Sequence, residues 1–474
     1  MAPAKQAALP AKAVAAKTLP AKTAPAKTHR RHRRQLSDAA PPRGPWMSLS
    51  QALGLTYADN PQIKAARAQL KSVDETYAQA VSGFRPSVTG SASYQAGTLD
   101  GNSTGTTRDN PKAVALAVSE PLYSGGTTLA SMKAAKKRVV AARAALDATG
   151  QTVLLQAATY FMDTARDRLT VRLEDDNVHA LDRQLHAARE RLRHGTVTMT
   201  DVRQAEARLS AAVAARAQAE ASLRESRAAL LSVSGVDTDD LLWPKSDDLK
   251  PPATLEAAVA AAQRDNPDLS AARLAVDAAA ADRRAVAGTA LPQVNLVGQV
   301  GRNFDNPSEL PDSQVDQASV MLTATFPFYT GGDTDSRVRQ ARDVEEQRRM
   351  ELGGTALTVR RQVTDAWENL LAAKAEDAAY GIQIGATRAA LAGVKTEARV
   401  GTRTTLDILN AEQEYIGAEI ARAGAEHDRV VALYALFAAM GSLDPATLRL
   451  KDAYDPAAHF KKVRHKWFGT AAVD

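Results

Sequence analysis

The sequence predicts a mainly α-helical protein with a small β-sheet, built from two copies of one structural unit. Three observations support this prediction. The chain repeats itself at an offset of 206 residues without a gap, as Gly195 and Gly401 illustrate. Each copy holds long stretches of helical hydrophobic periodicity, and each holds two stretches of about ten residues that alternate apolar and polar side chains. Such a repeat fixes the organisation of the chain before any single element is assigned.

The repeat is visible in short motifs that return in the same order. These are Asp59-Asn60-Pro61 with Asp265-Asn266-Pro267, Pro86 with Pro292, Pro121 to Gly126 with Pro327 to Gly332, Gly195 with Gly401, Asp201 with Asp407, and Gly235 with Gly441. The chain therefore divides into a first repeat over residues 47–235 and a second repeat over 254–441. A linker over 236–253 and a tail over 442–474 follow them, and we expect both to pack as a belt around the helices.

The basic charge of the chain belongs to its first residues. The formal net charge is +6, yet residues 1–45 carry ten Lys or Arg and one Asp, so the rest of the chain is slightly acidic. Residues 1–46 are rich in Ala, Pro and Lys, a composition that buries too little apolar surface to fold. We expect a disordered arm that is either simply solvated or in contact with an anionic polymer. It contains no apolar stretch typical of a secretory signal.

Each repeat opens with a predicted helix of about 35 residues, over 47–82 and 254–288. The helix ends before Pro86 or Pro292, and two strands follow, over about 86–96 and 112–121 and over about 292–302 and 318–328. In the first strand Val88, Ala92 and Tyr94 share a face, which period-2 alternation assigns to an apolar side of a sheet. Long polar loops, 97–111 and 303–317, join the strands of each pair.

The apolar faces of these strands raise the question of a membrane. No stretch of 18 apolar residues exists, so the sequence offers no transmembrane helix. Strands of ten residues with one apolar face, aromatic ends and long polar loops are typical of membrane β-barrels. Four strands cannot close a barrel, and lipid tolerates no open sheet edge. On periodicity alone, either several chains share one barrel or the sheet is water-soluble.

Helical periodicity continues from Gly126 and Gly332 for nearly 70 residues, about 100 Å of helix at 1.5 Å per residue. It stops at two short matching stretches, residues 193–204 and 399–410, and a second helix with an alanine-rich heptad seam then returns. Each stretch is therefore predicted to be the tip of a helical hairpin. Asp201 follows Thr200 and Asp407 lies two residues after Thr405, and either could simply be an acid at a helix N-terminus.

Motifs of catalysis and of cofactor or metal binding are missing from the sequence. The histidines show no metal-ligand spacing, and the chain contains neither a phosphate-binding loop nor a nucleophile elbow. The chain has no cysteine, which removes thiol chemistry. We therefore expect no enzyme and no cofactor. Two glycine pairs lie where a strand is predicted to lead into a helix, and the conformational freedom of glycine is enough to explain them. Together with the preceding prolines they form the predicted strand-to-helix joins, which comprise Pro121, Gly125, Gly126, Pro327, Gly331 and Gly332.

The duplicated halves, the Asp-Asn-Pro motifs, the Pro-x-Tyr-Ser/Thr-Gly-Gly joins and the Gly-Thr-Arg-Thr-x-x-Asp tip together resemble the TolC family of outer-membrane efflux and type I secretion channels. The resemblance covers Met47 to about Gly441. It implies a homotrimer with a 12-stranded barrel in outer-membrane lipid, four strands per chain, continued by a coiled-coil tunnel in the periplasm. It also implies a passive exit duct that docks on a periplasmic adaptor and an inner-membrane pump. A soluble coiled-coil scaffold is the alternative, and we expect no nucleic-acid partner.

The resemblance assigns roles to residues of the two tips. The pore constriction would be formed by Asp407 and by Asn410, where an acidic residue is usual in the family. A gate link would join Arg403 to Thr200 and Asp201. Adaptor contact would fall on two exposed turns, which comprise Gly195, Thr196, Val197, Val400, Gly401 and Thr402.

Overall fold

The computed structural model describes residues 46–474 except 102–104, 239, 245–248, 305–313, 451–452 and 472–474. Residues 1–45 of the predicted basic arm lie outside the described residues, as does most of the predicted loop 303–317. The elements in chain order are α1 (Leu49–Asp59), α2 (Pro61–Ser82), β1 (Ser87–Tyr94), β2 (Gly97–Gly101), β3 (Gly105–Asp109), β4 (Lys112–Ser124), α3 (Thr127–Arg193), α4 (Met199–Ser234), α5 (Leu255–Asp265), α6 (Pro267–Gly288), β5 (Gln293–Phe304), β6 (Gln314–Thr325), α7 (Asp333–Arg399), α8 (Thr405–Met440) and α9 (Ala458–Val463).

The two repeats fold alike, and the prediction of a mainly helical, duplicated chain is confirmed. Helices α5 to α8 begin and end 206 residues after α1 to α4, so the offset read from the sequence is also the offset of the structure. Among the described residues, no helix combines the length and the hydropathy that crossing a membrane requires.

The prediction of a single first helix in each repeat is wrong, because each of these stretches forms two helices. The chain breaks at Asn60 and at Asn266, where the backbone is extended and a proline follows. The asparagine side chain accepts hydrogen bonds from the next two free backbone N–H groups and so caps a new helix. The same side chain donates to a distant carbonyl, that of Val233 at 2.9 Å in the first repeat and that of Ala439 at 3.0 Å in the second.

The strands form an antiparallel sheet in the order β1-β4-β5-β6. The predicted strand at 318–328 lies earlier, ending at Thr325, and the predicted loop 97–111 contains the additional hairpin β2–β3. The register places apolar residues of all four strands on one face, which comprises Val88, Ala92, Val114, Leu116, Val118, Leu296, Val300, Val320 and Leu322. The other face carries mostly Ala, Ser, Thr, Gln and Asn.

The helices pack side by side in the same order as the strands. Helix α3 contacts α2 and α4 on one side and α6 and α8 on the other, and α7 in turn packs on α6 and α8. Because β1 follows α2, β4 precedes α3, β5 follows α6 and β6 precedes α7, each strand continues one helix of this row. Among the described strands and long helices, the row therefore ends in two edges without a further neighbour, one formed by β1, α2 and α4 and the other by β6 and α7.

The largest hydrophobic core lies midway along the long helices. Phe161 of α3, Leu370 of α7 and Leu436 of α8 are fully buried there, together with Leu53 of α1. Each such side chain contributes about 1.5–3 kcal/mol when it leaves water. Described parts of the linker and of the tail also enter this core, through buried Leu241, Leu249 and Leu443.

Candidate functional site at the two helical tips

Each tip is a short turn that reverses the chain between two long helices. After α3 the turn passes through Gly195 with φ 70°, and after α7 it passes through Gly401 with φ 84°. The following threonine closes the turn in both cases, because Thr196 donates from N and Oγ1 to the carbonyl of Arg191 and Thr402 does the same to that of Glu397. The predicted docking turns are thus closely similar hairpin ends, which are exposed except at half-buried Val197.

Asp201 and Asp407 occupy capping boxes at the start of α4 and α8. The Oδ2 atom of Asp407 accepts from Thr404 N at 2.8 Å and from Thr404 Oγ1 at 2.9 Å, and Asp201 accepts from Thr198 in the same way. The threonine Oγ1 accepts the aspartate N–H in return. The hydrogen bond from the threonine backbone N–H has the largest effect on the pKa of each carboxyl, and the bond from the threonine hydroxyl has the next largest. Both bonds lower the pKa, so both carboxyls stay charged at neutral pH.

Arg403 contacts its own tip within the chain. Its Nε donates to Glu397 Oε2 at 2.8 Å, and this pair joins the end of α7 to the turn before α8. The structure does not bring Arg403 to Thr200 or Asp201 of the same chain; Thr200 is exposed at the start of α4. The predicted link between tips is therefore not made inside one chain, and a link between neighbouring chains stays a prediction.

Asn410 has a partner that the sequence did not reveal. Arg208 Nη2 of α4 donates to Asn410 Oδ1 of α8 at 3.2 Å, which joins the two hairpins one turn behind Asp407. No local spacing could have shown this contact, because the two residues are 202 positions apart. The positive charge of Arg208 thus lies beside Asn410, the position at which the resemblance implies an acidic residue.

The hairpins are also held together by apolar and ionic contacts behind the tips. Leu409 of α8 is buried against Leu181 of α3 and Ala212 of α4. Lys395 Nζ lies 2.8 Å from Glu412 Oε1, whose side chain is almost fully buried between α7 and α8. These contacts fix the orientation of the first turns of α8, and with it the direction in which Asp407 and Asn410 project.

The predicted strand-to-helix joins are tight turns with positive φ at Gly125, Gly126, Gly331 and Gly332. Gly126 and Gly332 are the N-caps of α3 and α7. At Gly125 a Cβ atom would lie 2.1 Å from the carbonyl oxygen of Gly288, so the join also lets the second repeat approach closely. Pro121 lies where the β4–β5 register shifts, whereas Pro327 lies beyond the end of β6.

Comparison with known proteins assigns the chain to a family. Residues 52–236 and 258–442 both match the family model described as outer membrane efflux protein. The chain belongs to the outer membrane efflux protein family. This is a family of transport channels, not of enzymes, and it includes the TolC proteins that the sequence resembles. Within the described ranges no three His, Asp or Glu side chains lie close enough together to hold a metal ion.

Relatives of this family match over most of the chain. The outer membrane efflux protein BepC of Brucella suis is 36% identical over 431 residues, which is 90% of this chain and 92% of the relative. The outer membrane protein TolC of Vibrio cholerae is 24% identical over 402 residues, 84% of this chain and 91% of the relative. Among solved structures, the Campylobacter jejuni CmeC outer membrane channel has a TM-score of 0.74 at 15% identity, covering 88% of this chain and 89% of that one.

Proposed function

We propose that the protein is the outer-membrane exit duct of a tripartite efflux pump or of a type I secretion system. Three chains would close one 12-stranded barrel and one helical tunnel in the periplasm. The observation that carries the proposal is the row of elements with two free edges. Strands and helices end at the same edges, so one rotation that joins β6 to β1 also joins α7 to α2 and α4 of the next chain.

Helix α7 has an exposed apolar face that a neighbouring chain would cover. Met350, Leu357, Leu371 and Ile382 are all exposed, and their spacings of 7, 14 and 11 residues place them on one face of the helix. Three of their four counterparts in α3, 206 residues earlier, are buried, namely Ala144, Gln151 and Ala165, whereas the counterpart of Ile382, Asp176, is exposed. In the proposed trimer, the first repeat of the next chain would cover this face of α7, just as the second repeat of the same chain covers α3.

One contact makes this argument specific. Gln151 Nε2 of α3 donates to the carbonyl of Gly441, the C-cap of α8, at 2.8 Å. The counterpart of Gln151 is Leu357, exposed by 72%, and the counterpart of Gly441 is Gly235, the C-cap of α4. In the proposed trimer, Leu357 of one chain packs beside Gly235 of the next.

The sheet has the two faces that a membrane barrel needs. Its apolar face exposes Val114, Leu116 and Val320, whereas the opposite face carries small and polar side chains suited to a water-filled channel. At the end of β5 and β6 away from the helices, Arg302 Nη2 bonds Asp316 Oδ2 at 2.7 Å on the apolar face. This ion pair marks the outer limit of the apolar band.

The tips would form the periplasmic end of the duct. Three Asp407 carboxylates around one axis would attract cations, and the bonds to Thr404 leave Oδ1 to face the axis. Asn410 adds no charge, and Arg208 beside it adds a positive one. We therefore expect weaker cation preference and weaker divalent block than a pore with two acidic rings would show.

The gate and the docking surface complete the proposal. Arg403 would exchange its bond with Glu397 for Thr200 and Asp201 of a neighbouring chain in the closed state, and the exposed turns around Gly195 and Gly401 would contact the periplasmic adaptor. Arg403→Ala channels should then open more often or conduct more than wild type in single-channel recordings. Equal conductance in the two would remove Arg403 from the gate.

The proposed function is tested by single-channel conductance of the purified trimer in a planar bilayer, with wild type beside Asp407→Ala. Cation-preferring openings, with the preference reduced in the variant, are expected. Openings unchanged by the substitution would keep the duct and place its selectivity elsewhere. Protein that fractionates as soluble and never inserts would overturn the duct and favour the coiled-coil scaffold.

A further inference from the structure

The C-terminal segment, residues 453–469, binds along α2 through a series of aromatic and ionic contacts. The Arg67 guanidinium lies between the rings of Tyr57 and Tyr454, 4.8 and 4.9 Å from their centroids. Further along both chains, His459 Nδ1 lies 3.0 Å from Oδ2 of Asp74, which is fully buried. These contacts advance in the same direction on α2 and on the segment.

The series continues to the end of α2. The ring of Phe460 packs on Tyr77 of α2 at 5.1 Å, and Arg143 of α3 covers the same ring at 5.3 Å. Arg85, two residues before β1, stacks over the Trp467 ring at 4.5 Å and donates to the carbonyl of Lys466 at 2.8 Å. The segment therefore reaches the level at which helix gives way to strand.

Only the first repeat can hold this segment. The second-repeat counterparts of Asp74, Tyr77 and Arg85 are Ala280, Arg283 and Leu291. There Arg283 and Arg349 both bond Glu345, at 2.7 and 2.5 Å, and so fill the equivalent site with ion pairs. The segment is thus placed specifically beside β1 and not beside β5.

The end of the segment points its aromatic side chains into solvent. Trp467 is exposed by 60% and Phe468 by 88%, although Arg85 fixes the backbone beneath them. Other exposed aromatic side chains lie close to helix–strand joins, namely Phe84, Tyr123, Phe328 and Tyr329. From His459 to Gly469 the segment carries four Lys or Arg and no acidic residue.

We infer that Trp467 and Phe468 form a membrane anchor that inserts at the headgroup level of the phospholipid leaflet nearest the helices. Aromatic side chains at the ends of membrane strands favour this level, where ring and headgroup meet. The basic residues around them attract anionic phospholipid, which gives the pair the second signal that stable surface anchoring needs. The inference rests on the proposed function, because it requires the sheet to be in the same bilayer.

The test uses site-specific labels, for which the cysteine-free chain is suited. Phe468→Cys, Val320→Cys and Val400→Cys proteins are labelled with a polarity-sensitive fluorophore and reconstituted in vesicles of phosphatidylcholine and phosphatidylglycerol. Val320 reports the apolar face of the sheet and Val400 reports a tip. Lipids with a quencher near the headgroup or near the acyl-chain end then give the depth of each label.

We expect the label at 468 to be quenched several-fold more by the headgroup quencher than by the chain-end quencher. The label at 320 should be quenched by lipid, and the label at 400 should not. A label at 468 that escapes both quenchers while the label at 320 is quenched would overturn the anchor, whether the aromatic pair is in water or buried against a second copy of the chain. An unquenched label at 320 would instead overturn the proposed function.

Removing the contacts under the segment gives an independent readout. Arg85→Ala removes both the ring contact and the hydrogen bond to Lys466 but lies outside the sheet. The Phe468 label should then lose its depth preference while the trimer remains. An unchanged depth profile in Arg85→Ala would show that Arg85 does not position the anchor and would contradict the placement argued here.

Discussion

Asp407 shows how one carboxylate can serve two purposes. Its Oδ2 completes the capping box of α8, whereas from the sequence we predicted only an acid at a helix N-terminus as the alternative to a pore residue. Its second oxygen is what a constriction would use, and only the assembled pore decides that role. The contact between Arg208 and Asn410, one turn further along α8, could not be predicted at all, because it depends on how one hairpin packs on the other.

Arg208→Gln should increase the preference of the pore for cations. One unit charge about 8 Å from an ion is worth about 0.5 kcal/mol in water, with opposite sign for K⁺ and Cl⁻, so we expect up to roughly a fivefold rise in the permeability ratio of K⁺ to Cl⁻. The reversal potential in a KCl gradient measures this ratio. Arg203→Gln is the matched control, since Arg203 lies on the same helix but bonds Glu206. A ratio that changes equally in both variants would place Arg208 outside the constriction.

Asp147 should make stability depend on pH. Desolvation of its carboxyl, with the charge of Asp444 nearby, raises its pKa from 3.8 to about 6. The folded state then binds this proton more tightly than the unfolded state, so the free energy of unfolding falls as pH rises from 3.8 to about 6. Asp147→Asn should melt about 1–3 °C above wild type at neutral pH and close to it near pH 4.

Thermal unfolding of the detergent-solubilised protein across this pH range measures the effect of Asp147. Asp176→Asn is the control, because Asp176 is also exposed but lies about 40 Å further along the same helix, far from Asp444. Melting curves of wild type and Asp147→Asn that run parallel at every pH would show that the raised pKa of this carboxyl does not contribute to stability.

Elements were predicted well where periodicity alone determines them. The long hairpins α3–α4 and α7–α8 follow from uninterrupted helical patterns with Gly-Thr tips. The break between α1 and α2 was missed because hydrophobic periodicity continues through Asn60, although the Asn60-Pro61 pair is a signal of a helix start, and the cap bonds and the contact with Val233 show that a new helix begins there. The hairpin β2–β3 was missed because its residues carry too little apolar alternation to be distinguished from a loop.

The two strand-to-helix joins should respond differently to the same substitution. Gly125 and Gly331 both have positive φ, which costs an alanine about 1–2 kcal/mol. Only at Gly125 does the new Cβ meet the backbone of the same chain, so Gly125→Ala should lose about 1–3 kcal/mol more than Gly331→Ala. The yield of folded chain, measured by circular dichroism after refolding, should be lower for Gly125→Ala. Equal yields would contradict the close approach to Gly288.

At the scale of the whole molecule, the duplication was the most reliable prediction, because motifs at a constant offset do not depend on any single assignment. The alternation of apolar and polar residues in the strands was equally compatible with a barrel shared between chains and with a water-soluble sheet. The register, which puts most large apolar strand residues on one face, and the exposed face of α7 are properties of packing that no local pattern contains.

Leu357→Asp should prevent assembly without preventing folding. A carboxylate at this position would be buried beside Gly235 of the next chain without a partner, at a cost of several kcal/mol per interface. Size-exclusion chromatography with light scattering should find monomer where wild type gives trimer, with unchanged helical content. Met199→Asp, which places the same charge on an exposed apolar residue at a tip, should still form trimers. Trimeric Leu357→Asp would show that this face of α7 is not the interface.

The two unlike edges of the chain also have a genetic consequence. In the proposed trimer every ring would close through three copies of the same contact, so one chain with a defective edge would open the ring even if its two neighbours are intact. In a cell that makes intact and edge-defective chains in equal amounts, about one ring in eight would contain intact chains alone if all chains still associate at random. Alleles that alter α7 along Met350, Leu357 and Leu371 should therefore be dominant, whereas alleles that prevent folding should be recessive.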